Sequence, residues 1–236
     1  MKTIFHPATE RGFNSFGCLK SYHSFSFGQF NDPEKMNFGL LRVLNDDHVE
    51  ASMGFGTHGH ANMEIVSIPL VGALKHNDST GREEIIRSGD VQIMSAGSGI
   101  KHSEYNASKE EAVKFLQIWV FPKLEDITPR YEQKTFKEED KHNRFLTVVS
   151  PNKEDNAVWI NQDAWFSLGN IEKDLSLDYR LHASNNGIYI FVLEGNISVE
   201  GKELGERDAL GIYETDLVKV KANSYAKVLI IEIPMK

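Results

Sequence analysis

The chain has 236 residues, 40% hydrophobic and 25% charged, a balance that supports one large or two small packed domains and argues against disorder. With 34 acidic residues against 26 basic the net charge is −8, and no Lys/Arg cluster supplies the one-sided basic surface that direct nucleic-acid binding requires. The single cysteine, Cys18, excludes an intramolecular disulfide and any cysteine-rich zinc or iron–sulfur centre, so a metal here must rely on imidazole and carboxylate.

The first residues, MKTIFHPATERGF, have no apolar core region and no small-residue cleavage site, and no later stretch reaches bilayer length; a cytoplasmic protein without a membrane partner is expected. Period-2 apolar alternation then predicts strands over Gly39–Leu44, Glu64–Pro69, Val91–Met94 and Phe115–Phe121. After these come Arg144–Val149, Gly187–Leu193, Asp208–Tyr213, Val218–Val220 and Ala226–Ile233. Helical periodicity is weak, and only short helical turns are expected, near Pro33–Met36 and Asn161–Trp165. Short, numerous strands spaced by turn signals indicate an all-β protein of sandwiches or barrels. Pro122–Asn143 is charged and turn-rich and reads as a linker, which divides the chain into domains 1–121 and 144–236 around a linker 122–143. PLVGALKHNDSTG and VLEGNISVEGKEL both read as strand, Gly-containing turn, strand, and laying Gly72 on Gly195 suggests two copies of one barrel.

The segment GFGTHGHANMEIVSIPLVG carries His58 and His60, which on a strand project to one face. His102 and Glu104 repeat the i, i+2 spacing after the Gly-rich turn of SAGSGIKHSEYN. If the two segments lie on neighbouring strands, three imidazoles and one carboxylate converge. A lone HxH is mostly accidental; two such pairs beside glycine turns are much less so. His76 sits in KHNDSTG and reads as a solvated turn residue, and His6, His23, His48 and His142 have no partner at ligand spacing. Phe38, Met53, Phe55, Met63 and Met94 offer a wall for a planar aromatic ligand, although each alone reads as ordinary barrel core.

The stretches HSFSFGQFNDP, LRVLNDDHVEASMGFGTHGHANMEI, VQIMSAGSGIKHSEYN and ITPRYEQ resemble the pirin family of the cupin superfamily, most closely its bacterial quercetin-dioxygenase branch. The resemblance covers nearly the whole chain. It implies a bicupin fold, two stacked jelly-roll-like barrels, and a metal site whose ligands fall on His58, His60, His102 and Glu104. Pirins usually have proline between the first two histidines, where this chain has Gly59, and the general cupin motif uses a glutamate at the position of Glu64. The family pattern favours Glu104 as ligand and leaves Glu64 as a supporting group or alternative. In the second barrel the overlay places Leu181 and Ala183 where the first has His58 and His60, Gly187 where it has Glu64, and His182 on the opposite face. A metal-free C-terminal barrel follows.

Three neutral imidazoles and a carboxylate suit one divalent transition metal; Fe(II) is favoured by resemblance, and Mn, Co, Ni, Cu and Zn fit the same donors. The resemblance implies cleavage of flavonols such as quercetin, or of another planar phenol, with O₂ uptake and CO release, Glu104 accepting the hydroxyl proton. A metal- and redox-sensitive binding module acting on a protein partner, and a non-oxidative isomerase, use the same ligands and stand as alternatives.

Overall fold

Apolar residues recurring at every second position build strands through almost the whole chain, and a computed structural model describes all of it, Met1–Lys236. The first part contains β1 (Lys2–His6), β2 (Gly12–Ser15), β3 (Leu19–His23), β4 (Leu41–Val49), β5 (Gly54–His60), β6 (Glu64–Val71), β7 (Ala73–Asp78), β8 (Glu83–Arg87), β9 (Asp90–Ser95), β10 (Ile100–Asn106), β11 (Val113–Val120) and β12 (Arg130–Thr135). The second contains β13 (Leu146–Ser150), β14 (Val158–Trp159), β15 (Trp165–Ile171), β16 (Ser176–Arg180), β17 (Asn186–Glu194), β18 (Ile197–Val199), β19 (Lys202–Leu204), β20 (Ala209–Tyr213), β21 (Leu217–Ala222) and β22 (Ala226–Pro234). The only helical segments are 3₁₀ turns at Ala8–Glu10 and Glu138–Lys141; Pro33–Met36 forms a turn and a bend instead, and Asn161–Trp165 bends and enters β15 at Trp165. No helix is long and apolar enough to cross a membrane.

The two halves repeat one design. A seven-stranded sheet ordered β12-β9-β6-β11-β4-β3-β2 faces a four-stranded sheet ordered β5-β10-β7-β8, and the second half answers with β1-β20-β17-β22-β15-β13-β14 and β16-β21-β18-β19. These are two cupin barrels. Gly72 and Gly195 occupy equivalent turns with φ of 78° and 82°, and a Cβ on Gly195 would meet the Tyr225 carbonyl oxygen at 2.0 Å. The repeated glycine is therefore a backbone requirement of the shared turn. Two features lie outside the expected division. The stretch read as a linker contains β12, which closes the edge of the first large sheet against β9, and the N-terminal β1 pairs with β20 of the second half.

The large sheets pack face to face, and the largest apolar cluster lies between them, with Leu44, Val66, Ile93, Leu116 and Ile118 against Phe166, Tyr189, Phe191, Leu229 and Ile231. Arg207 crosses this seam to Asp46, its Nε donating to Oδ2 at 2.6 Å. The interiors differ. Sixteen buried apolar residues fill the second barrel, whereas the first has only two small clusters, around Val49–Leu74–Phe115 and Ile65–Met94–Ile100. A polar layer fills the space between them.

Candidate metal centre

Strand alternation and register assemble that layer. In the antiparallel pair β10–β5, His102 lies opposite His58 and Ile100 opposite His60. The register then shifts, so that Glu104 faces Phe55: two residues of β10 span three of β5, a bulge that turns β5 around the site. On its other edge β10 pairs with β7, setting Glu104 opposite His76 and His102 opposite Asp78.

The three imidazoles form one cluster. Ring centroids lie 4.8 Å apart for His58 and His60, 4.4 Å for His58 and His102, and 4.9 Å for His60 and His102. His58 Nδ1 is 2.8 Å from the Gly56 carbonyl oxygen, which can only accept, so Nδ1 holds the proton and Nε2 keeps a lone pair. Burial lowers His60 to about 4 and His102 to about 3, aided by the neighbouring histidines, so these rings are neutral donors near pH 7. His102 is 2% exposed and neither of its nitrogens has a partner, a state that typically costs ~1–3 kcal/mol per orphaned group.

Glu104 is held by a built cradle. Ser67 Oγ donates to Oε1 at 3.1 Å and Gln117 Nε2 to Oε2 at 2.6 Å. Burial pushes the Glu104 carboxyl above its ordinary range, opposed by the charge of His76 and by these two donors. Each carboxylate oxygen still has a lone pair to offer.

His76 overturns the solvated-turn reading. It is fully buried on β7, its Nε2 donates to Asp78 Oδ2 at 3.0 Å, and its Nδ1 has no partner. The potential ligand atoms of His58, His60 and His102 lie within 4.8 Å of one another, and those of His76, His102 and Glu104 form a second such group. Donor chemistry, orphaned buried nitrogens and spacing therefore suit a divalent transition metal. The sequence signal for His76 was available in the alternation of Leu74, His76 and Asp78, which share the inner face with it.

Above the histidines opens a cavity of about 410 Å³ whose apolar lining is Phe16, Leu19, Phe27, Phe55 and Trp119. Of the five apolar residues expected there, only Phe55 contributes. Phe38 packs on Tyr189 in the seam, Met63 and Met94 belong to the Ile65 cluster, and Met53 is largely exposed.

The Pirin family profile matches residues 6–120, and the profile described as Quercetinase C-terminal cupin domain matches 147–233. A protein of Escherichia coli strain K12 named quercetin 2,3-dioxygenase is 40% identical over 227 residues, covering 96% of each chain. The chain belongs to the pirin family. A pirin-like protein of Caulobacter vibrioides is 35% identical, covering 96% of this chain and 97% of its own. The crystal structure of the bacterial pirin YhhW from E. coli in complex with nickel(II) superposes with a TM-score of 0.93 at 38% identity over 99% of both chains.

Within this pirin, Glu64 points away from the histidines. Its Oε2 accepts from Ser95 Oγ at 2.8 Å and from the Asn161 backbone N–H at 3.1 Å, so it ties the two barrels together at the seam. Burial raises its carboxyl, against the pull of those two donors. In the second barrel, β21 turns Val218 and Val220 inward against aliphatic neighbours. His182 follows β16 in a turn; its Nδ1 lies 2.8 Å from Glu232 Oε2 and its ring stacks on Trp165 at 4.6 Å.

Proposed function

We propose that this pirin is a metal-dependent dioxygenase that opens the heterocyclic ring of flavonols, with His58, His60, His102 and Glu104 holding one divalent transition metal, Fe(II) in the working enzyme. The observation that carries the reading is the buried His102 ring, unpartnered at both nitrogens, inside a three-imidazole cluster beneath an apolar cavity. The name quercetin 2,3-dioxygenase carried by the 40% identical relative supplies the substrate class. A metal ion held there supplies Lewis acidity and one-electron redox chemistry toward O₂.

The chain's own residues do the rest. Glu104 takes the proton of the flavonol 3-hydroxyl; its burial makes it a stronger base than an exposed carboxylate, and Ser67 and Gln117 fix its direction. Trp119 and Phe55 flank the planar ligand and keep bulk water away. His76, held by Asp78, backs Glu104 and His102 from β7.

The test is anaerobic loading with Fe(II), followed by quercetin and oxygen, with O₂ uptake and CO release recorded. Turnover well above free iron is expected, and the double variant His58→Ala/His102→Ala should lose most of its metal while staying folded. Iron-replete protein that binds quercetin without CO release, or a double variant that keeps its metal, defeats the reading.

A further inference from the structure

Four polar side chains on β3 and β4 face the same cavity as the histidines. Register pairs Ser21 with Asp47 and His23 with Asn45, so their common orientation is set by the backbone. All four are buried, with Ser21 the most exposed at 5%. Ser21 Oγ donates to Asp47 Oδ1, and the same oxygen lies 2.7 Å from His23 Nε2. There the network stops. Asn45 Oδ1 has no partner, and Asp47 Oδ2 receives no hydrogen bond within the chain.

A buried acceptor left unmet is penalised at low dielectric. Glu232 in the second barrel shows the contrast: it accepts from Tyr179 Oη at 3.0 Å, the His182 N–H at 2.9 Å, the Ala183 N–H at 3.0 Å and Asn186 Nδ2 at 3.0 Å. Asp47 and Asn45 both line the cavity, each with one oxygen that no group of the chain meets.

The placement relative to Glu104 follows from the sheet. Asn45 lies opposite Gln117 on β11, whose amide holds Glu104, and His23 lies one strand further on. At ~4.8 Å per strand, Asn45 and Asp47 sit on the order of 5–10 Å from that holder. Leu19, Phe16 and Phe27 provide apolar wall at this end. We propose that Asn45 and Asp47, set by Ser21 and His23, form a second subsite that takes the hydroxyl groups on the substrate ring remote from the metal centre. The inference rests on the flavonol reading above and refines it: a polyhydroxylated pendant ring is the preferred substrate feature. A hydroxyl suits Asp47 in either protonation state, since it both donates and accepts.

The experiment uses full-length, metal-loaded protein and three flavonols with zero, one and two hydroxyls on the pendant ring: galangin, kaempferol and quercetin. Binding is followed anaerobically by ligand absorbance, and KM and kcat aerobically, for wild type and for the separate variants Asn45→Ala and Asp47→Ala. Wild type should bind more tightly with each added hydroxyl, by about 3- to 10-fold in Kd and KM. Each variant should flatten that series, raising KM for quercetin by about 10-fold more than for galangin, with metal content and thermal stability checked alongside. A flat wild-type series, or variants that weaken all three flavonols equally, overturns the subsite while leaving the dioxygenase reading intact. Graded binding without turnover supports the subsite and defeats the dioxygenase, and no binding of any flavonol overturns both.

Discussion

Asp47 and Glu104 are buried carboxyls in one barrel, and their environments assign them different work. Glu104 has two side-chain donors and candidate ligands on both flanks. Asp47 has one donor, Ser21, and burial raises it to about 7, with the charges of Asp46 and Glu104 pushing the same way and Ser21 and Arg11 opposing. The unfolded chain returns it to 3.8, so the folded state binds this proton more tightly. Stability from this group is therefore greatest below about 3.8 and falls as pH rises toward 7, by linkage. Asp47→Asn removes the titration. We expect its melting temperature relative to wild type to rise between pH 5 and pH 8, equivalent to on the order of 2 kcal/mol at ~1.4 kcal/mol per unit. Thermal unfolding across that range checks it; a variant less stable than wild type at pH 8 contradicts the burial argument. Such a gain at a binding position is the usual trade between stability and function.

The element that decides the site is β5, an edge strand that pairs only with β10 and carries His58 and His60 between glycines. Its glycines are not equivalent. A Cβ on Gly54 would meet the Glu104 carbonyl oxygen at 2.3 Å and Tyr105 Cα at 2.5 Å, so this residue permits the close approach of β5 to β10 beside the bulge. At Gly59 the nearest atom would be the Ile100 carbonyl oxygen at 3.7 Å, an ordinary contact. Gly54→Ala should therefore destabilise the barrel and displace Glu104, lowering metal occupancy. Gly59→Ala should keep the metal and add about 0.4–1 kcal/mol by restricting the unfolded chain. Denaturant midpoints and metal content of the two variants check this, and equal behaviour counts against the packing argument. At Gly59 a substitution is therefore expected to act on local rigidity and to leave the candidate ligands in place.

For the whole molecule, the seam joins what the sequence divides. β1 belongs to the second large sheet, β12 to the first, and the largest apolar cluster draws on both. Glu64 and Asp46 each reach across it, to Asn161 and Arg207. Separating the barrels would expose Leu44, Val66, Leu116 and their partners as one broad apolar face. We expect one cooperative unfolding transition, with calorimetric and van't Hoff enthalpies equal, and expect residues 1–143 expressed alone to be insoluble or to associate. Two resolved transitions, or a soluble monomeric fragment with native metal content, overturns this coupling.

The sequence by itself determined the all-β class and the doubled barrel, and its spacing alone singled out His58 with His60 and His102 with Glu104 as candidates. Each of these is written in short-range terms: period-2 alternation, i, i+2 spacing and a glycine that a turn demands at positions 72 and 195. What only tertiary structure decided depends on which strand lies beside which. The sequence distance between β10 and β7 hides that His76 faces Glu104, and that between β3 and β4 hides the Ser21–Asp47 pair. Glu64 shows the same dependence from the other side: it occupies the ligand position of the general cupin motif, yet the pleat of β6 turns it into the seam while Ser67 takes the inner face. The helical turns expected near Pro33 and Asn161 failed because those segments spend backbone carbonyls on loop residues elsewhere in the chain, Ser26 donating to Lys35 and Lys123 to Asn161, contacts no local pattern encodes.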